Sequence, residues 1–192
     1  MKKKLAIVTP GFLPVPAIKG GAVEALVTEI VEQNETFKKY DIDLYTIYDE
    51  NLQKFDYKYT KIISLKQDKF KTILYKVINK LCQIFHMCVH LNEFGNLAAK
   101  KISKKEYDYI LIENNMYIYK KVFKNYEYNC KKIFHLHNDV GGVDKPKNLC
   151  RYIGQNADLV LTVSKYLKNH FKQLAGAKNI RVYYNSIDIE KY

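Results

Sequence analysis

Apolar residues follow two alternating patterns along this chain. Short, mostly apolar runs give way to longer stretches in which apolar residues return every three or four positions. The first run, Leu5-Ala6-Ile7-Val8, ends at Thr9-Pro10-Gly11. A loop with Pro14 and Pro16 leads to Gly20-Gly21, and Val23, Leu26, Val27, Ile30 and Val31 follow at helical spacing. The pattern predicts a buried strand, a loop, and a helix that starts beside two glycines. Strands are predicted over residues 42–48 and 60–65, with a polar, aromatic loop over 49–60 between them. Phe70, Ile73, Leu74, Val77, Ile78, Leu81, Ile84, Phe85 and Cys88 predict a long helix over 69–91, and a further helix covers 93–104. Strand and helix then alternate: strand 109–112, helix 116–126, strand 132–137, a short helix 146–155, and strand 158–163. Ser164 is placed to cap a helix running through Leu174, Gly176 to end it, and residues 180–184 to form a last strand.

This alternation predicts an α/β fold: a Rossmann-like, doubly wound parallel sheet in a single domain. The 192 residues suit one domain, and 47% hydrophobic residues argue against disorder. In an open parallel sheet, ligands bind at the carboxyl edge of the strands. Gly20-Gly21, Glu113, His137 and Ser164 all fall at that edge. The two glycines allow close approach of backbone N–H groups, and the helix start favours negative charge, so a phosphate fits there. The alternative is a loop that needs glycine only to turn. No G-x-G-x-x-G fingerprint is present. Glu113-Asn114-Asn115 reads either as a site for ligand hydroxyls or as a loop-capping cluster.

Charge narrows the partners. The formal net charge is +12, and lysine dominates, since Arg151 and Arg181 are the only arginines. Base reading favours arginine, and neither an aromatic RNA-binding strand nor a zinc finger is present, so nucleic acid is not expected. Phosphorylated ligands or an anionic membrane remain, beside the plain reading of a lysine-rich surface. Residues 66–105 hold nine lysines against Asp68 and Glu93, a net +7. The helix over 69–91 therefore has two readings. It lies on an anionic membrane with Lys71, Lys76 and Lys80 toward lipid, or it covers the sheet with its stripe packed inward. No apolar run reaches the roughly 18 residues of a spanning helix. The basic start, Met1-Lys2-Lys3-Lys4, lacks the long apolar stretch of a signal peptide. Cys82, Cys88, Cys130 and Cys150 show no C-x-x-C spacing and read as reduced, mostly buried thiols of a cytoplasmic protein.

His135-Leu136-His137-Asn138-Asp139 also reads as H-x-H-x-D. Residues two apart on a strand share a face, so both imidazoles can reach one metal, as in a metal-dependent hydrolase. Val140 stands where such sites often carry a further histidine. Structural histidines, or His137 as a polar residue of a ligand cleft, are the other readings. His86 and His90, four apart with Cys88 between them, read as ordinary helix histidines. No metal is expected.

The series of motifs resembles a known family. The strand, T-P-G-F-L-P, K-G-G-A-V-E and the helix are similar to the opening of family 4 of the GT-B glycosyltransferases. His137 matches the histidine that closes a cleft-lining strand in that family. The run 157–167 resembles its next strand and serine-started helix. Tyr184-Asn185-Ser186-Ile187-Asp188 resembles the N-G-I-D that closes its first domain, with Ser186 departing from glycine. The resemblance implies one half of a GT-B fold, the acceptor side, with Tyr192 at the start of a linker and the C-terminal donor-binding domain absent. It implies transfer of a sugar, with retention of configuration, from a nucleotide-sugar to a lipid-linked or saccharide acceptor, as in surface polysaccharide or glycolipid synthesis. No cofactor is implied. By the resemblance, His137 contacts the donor sugar as the catalytic residue, while Gly20, Gly21 and Ser164 line the cleft near the donor phosphates. Glu113, Asn114, Asn138 and Asp139 are then the candidates for binding acceptor. Glu24 and Glu32 have the E-x7-E spacing that the family uses in its donor half, but both lie on the first helix, where the spacing is coincidental. Lys19 and Lys165 are the nearest cations to the loops. Such a half would be inactive without a donor-binding domain or subunit. It would be cytoplasmic and peripheral on the inner face of the membrane. A non-catalytic Rossmann-like binding subunit is the first rival, and the metal-dependent hydrolase the second.

Overall fold

The computed structural model describes residues 2–85, 90–124, 126–140 and 147–185. Seven strands form one parallel sheet: β1 (Lys3–Val8), β2 (Tyr40–Ile47), β3 (Thr60–Leu65), β4 (Tyr109–Glu113), β5 (Lys131–Leu136), β6 (Leu159–Thr162) and β7 (Ile180–Val182). Their order across the sheet is β3-β2-β1-β4-β5-β6-β7. The chain winds outward from β1 on one side and from β4 on the other, so β1 and β4 flank the point where the winding reverses. This is the predicted doubly wound Rossmann-like sheet.

Strand periodicity divides the core into two layers. Ala6, Val8, Ile110, Ile112, Phe134, Leu136 and Val160 point to one face. There they meet α3 (Glu93–Ile102), α4 (Met116–Lys124), α5 (Lys147–Asn156) and α6 (Lys165–Ala175). Ile7, Leu44 and Leu111 point to the other face and pack with Val27 and Val31 of α1 (Ala22–Phe37). Each large apolar side chain that leaves water in this way contributes roughly 1.5–3 kcal/mol. On the α1 face, Ile133, Leu159 and Leu161 are only partly buried.

Local signals set the ends of the elements. Asn92 and Ser164 accept hydrogen bonds from the backbone N–H groups of Gly95 and Leu167, at 2.7 and 3.2 Å, and so start α3 and α6. Gly176 closes α6 in the left-handed conformation, as its sequence position predicts. The expected loop over 49–60 contains a 3-10 turn, Glu50–Lys54, capped by the Asp49 carboxylate.

The expected long helix differs more. The helix α2 runs Lys69–Ile84. Asn79 exchanges two hydrogen bonds of 2.7 Å with the backbone of Leu91, so the chain doubles back beside α2 instead of extending it. Its apolar stripe does not cover the sheet. Phe70, Ile73, Leu74, Val77, Leu81 and Ile84 are all exposed, and Cys82 is the buried residue of the helix. The inward-packing expectation is thereby corrected. The helix turns Thr72, Tyr75, Ile78, Asn79 and Cys82 toward the body and most of its apolar stripe to the surroundings. Among the described residues, no helix is long and apolar enough to cross a membrane.

Candidate functional site

Three side chains converge where β4 and β5 end. Glu113 is the last residue of β4, and it pairs in register with His135 of β5. His137 follows one residue beyond the end of β5. Residues in register, and residues two apart, share a face, so all three side chains point to the α1 face. One carboxylate oxygen of Glu113, Oε2, lies 3.1 Å from His135 Nδ1 and 2.7 Å from His137 Nε2. The Glu113 carboxylate is fully buried, and the histidine side chains are nearly so. Burial alone would push the Glu113 carboxyl up, but hydrogen bonds and charge from His135 and His137 outweigh it and hold the carboxyl below its usual value. Glu113 Oε1 and His135 Nε2 are buried without a hydrogen-bond partner.

A cavity of about 400 Å³ opens over this cluster. Leu26, Val27 and Ile30 of α1 form its apolar wall, and Glu113, His135 and His137 form its polar floor. Glu29 and Gln33 of α1, with Tyr183 and Asn185 beyond β7, complete the lining. An apolar wall with a few convergent polar groups is the usual make-up of a small-molecule pocket, and the volume lies in that range. Sequence reasoning paired His135 with His137 only in the metal reading, and it did not single out Tyr183 and Asn185. The one available signal for His135 was its spacing of two from His137.

The other predicted residues have varied fates. Asn114 has a left-handed backbone (φ 49°), and its Oδ1 accepts from the backbone N–H of His137 at 3.0 Å and of Asn138 at 3.3 Å. It thus ties the end of β4 to the turn after β5. Asn138 is exposed. Asp139 binds away from the cluster, to His170 Nδ1 at 2.7 Å and to the Tyr166 hydroxyl at 3.2 Å on α6. Ser164 uses its hydroxyl to cap α6. Asn115 caps α4 and donates to the carbonyl of Pro10 in the loop after β1, at 3.1 Å, joining two edge loops. Asn114 and Asn115 thus make loop-capping contacts, while Glu113 bonds the histidines.

Gly20 and Gly21 are exposed at the start of α1, with φ of 76° and 99°, values that suit glycine. They do not line the cavity. A side chain at Gly21 would collide with the Glu24 carboxylate, which folds back beside it. Lys19 forms an ion pair with Asp49 at 2.5 Å, so the cation nearest these glycines is already balanced. Lys165 is exposed at the start of α6. Lys71, Lys76 and Lys80 are exposed on α2. His90 stacks on Tyr117, with ring centroids 4.0 Å apart. His86, Cys88, Gly141, Gly142 and residues 186–192 lie outside the described residues. Cys82 and Cys130 are free thiols, Cys150 donates to Met116 Sδ at 3.8 Å, and burial pushes Cys130 up to about 11.

Glu113, His135 and His137 are the one group of three or more metal-ligand types brought together among the described residues. Their spacing fits hydrogen bonding better than coordination. Two ligands about 2.0–2.1 Å from a tetrahedral ion stand roughly 3.3 Å apart, whereas Glu113 and His137 meet at 2.7 Å. The cluster can hold one imidazole in a fixed orientation, with a buried carboxylate behind it and a cavity in front.

Comparison with known proteins agrees with the fold. Sucrose-phosphate synthase from Thermosynechococcus elongatus superposes with a TM-score of 0.66 at 12% identity, covering 98% of this chain and 49% of that one. An alpha-glucosyltransferase in complex with UDP and a 13-mer DNA gives a TM-score of 0.56 at 12% identity, covering 100% of this chain and 44% of that one. The same type of enzyme with UDP-glucose and DNA containing an abasic site gives 0.55 at 13% identity, over 100% and 44%. The chain thus spans about half the length of these solved structures. Comparison with curated proteins returns no sequence match. The family model Glycosyltransferase Family 4 matches residues 52–191, from the 3-10 turn past the last strand and including Glu113, His135 and His137. With that match over most of its length, this chain belongs to glycosyltransferase family 4.

Proposed function

We propose that this chain is the acceptor-side half of a retaining glycosyltransferase. It moves a sugar from a nucleotide-sugar to a lipid-linked or saccharide acceptor of surface polysaccharide or glycolipid synthesis. The observation that carries the proposal is His137, fixed by the buried Glu113 carboxylate at the carboxyl edge and facing a cavity of about 400 Å³. An imidazole held in this way loses little freedom when it meets a sugar hydroxyl, so its contact is preorganised for the transition state. The glycine-led start of α1 is the nearest place for diphosphate oxygens, through backbone N–H groups and the helix dipole. Asn138, exposed next to His137, is available to an acceptor hydroxyl in this reading. The donor-binding carboxylates and the cations for the leaving diphosphate come from a second domain or subunit. A lipid-linked acceptor places the enzyme peripherally on the inner face of the membrane, where its +12 charge meets anionic headgroups.

The test is a transfer assay with the chain joined to, or mixed with, a donor-binding half. Labelled nucleotide-sugars and a lipid-phosphate acceptor extract are the substrates. Transfer is expected, and His137→Ala lowers turnover by roughly ten- to a thousandfold, as for loss of one positioned transition-state contact. Unchanged turnover in the variant removes His137 from the reaction.

A further inference from the structure

We infer that α2 lies in the plane of an anionic membrane interface with its apolar stripe inserted, and that it holds the carboxyl edge of the sheet against the lipid. The inference deepens the peripheral reading above and rests on it for the acceptor alone. Its first support is exposure. Phe70 is 76% exposed, Ile73 62%, Val77 52% and Ile84 61%, and Phe85 just beyond the helix is 71% exposed. Soluble proteins seldom leave so many large apolar residues in one contiguous patch without an occupant for it. The stripe is opposite the helix's own attachment. Cys82 is buried, Thr72, Tyr75 and Asn79 are partly buried on the inner face, and Ile78 is partly buried at the edge of the stripe.

Charge selects the occupant. At 3.6 residues per turn, Lys69, Lys76 and Lys80 fall along one border of the stripe and Lys71 along the other. All four are exposed, and α2 contains no acidic residue. Lysine stems on both borders can lie along the acyl boundary while their ammonium groups reach lipid phosphates. A second copy of the same helix would bring like-charged borders together, which opposes self-pairing.

Placement gives the inference its functional content. α2 starts shortly after β3 ends, at the carboxyl edge of the sheet. About two-thirds of the way along, Asn79 is bonded to Leu91, directly before the start of α3. The first turn of α3 lies at that same edge, because its Phe94 ring packs on Gly11 in the loop after β1. The helix therefore spans from one edge loop to another. Insertion of its stripe brings the edge that carries Glu113 and His137 near the headgroups, where a lipid-linked acceptor presents its phosphate.

The experiment measures binding of the purified chain to phosphatidylcholine vesicles with and without phosphatidylglycerol, over a range of salt. The chain has no tryptophan, so Val77→Trp supplies a single reporter on the stripe. Its emission is expected to shift to the blue with anionic vesicles and to be quenched by lipids brominated on the acyl chain. A variant with Ile73→Gln, Val77→Gln and Leu81→Gln, at positions that are exposed and need not disturb folding, is expected to lose about tenfold or more of the binding at every salt concentration. Changing Lys69, Lys71, Lys76 and Lys80 to Gln is expected to remove the preference for anionic lipid and leave weak, salt-insensitive binding. Equal binding by the stripe variant, or an unquenched reporter, overturns the role of α2 while leaving lysine-driven peripheral binding intact. Self-association of the chain that the stripe variant abolishes, with no vesicle binding, assigns the face to a second copy and also overturns the inference. No sugar donor is present, so failure here and failure of glycosyl transfer are separate results.

Discussion

Burial of the Glu113 carboxylate is costly, and its neighbours offset that cost. A fully buried carboxylate is stable only when charge or hydrogen bonds replace its water. His135 and His137 share one of its oxygens and hold its carboxyl below the ordinary 4.5. The sign of the linkage follows. A depressed folded value contributes stability that is present above the ordinary carboxylate value and is lost as pH falls through the folded value. Glu113→Gln removes that ionisation. Urea midpoints across acid pH are expected to show wild type ahead of the variant above about pH 5, with the gap closing as pH falls below about 4.5. A gap that stays constant with pH would mean that the carboxylate charge does not contribute. His137→Ala leaves the same carboxylate with one partner, so activity comparisons on that variant need to be made per folded molecule.

At the scale of elements, α5 and α6 are locked by one close approach. Gly154 of α5 faces the backbone of Ala175 at the end of α6, and a Cβ added there would stand 2.5 Å from the Ala175 carbonyl oxygen. Helix propensity by itself favours alanine over an interior glycine by roughly 0.5–1 kcal/mol. Steric overlap with a backbone atom works in the opposite direction and cannot be relieved by a rotamer change. Gly154→Ala is therefore expected to destabilise, by about 1–3 kcal/mol after the two helices shift. Chemical denaturation of the variant checks the sign, and a stabilised protein would show that α5 and α6 separate freely. The element that stands apart is α2, which keeps its apolar side outward while the other helices described bury theirs. Its capping by Asp68, which accepts from the N–H of Lys71 at 3.0 Å, and its Asn79 tether hold it in place with little core contact.

At the scale of the molecule, the site is an edge with one wall. Glu113 and His137 supply orientation, but a charged diphosphate at the exposed glycines would stay hydrated, and fields in water are weak. Lys19, the nearest cation, is committed to Asp49. The purified 192-residue chain is expected to bind nucleotide-sugars weakly or undetectably in calorimetry and to give no multiple turnovers alone. Addition of a donor-binding half is expected to restore transfer. Sustained turnover by the chain alone would show that one half suffices.

Much of the architecture was legible because it depends on local periodicity. Apolar runs alternating with helical spacing fix strands and helices one at a time, and a parallel sheet then places every strand's carboxyl end on one edge. Thr9 to Gly21, Glu113 and His137 had to lie there whatever the details. Ser164 and Gly176 announced their caps for the same reason, since a cap is decided by a few neighbouring residues. Three things needed the folded molecule. The partnership of Glu113 with His135 depends on β4 lying beside β5 in one register, a contact between residues far apart in sequence. The cavity depends on how α1 sits over that pair. The outward stripe of α2 depends on what the helix packs against. Periodicity shows that a helix has an apolar face, and only tertiary contacts decide whether that face meets the core or remains exposed.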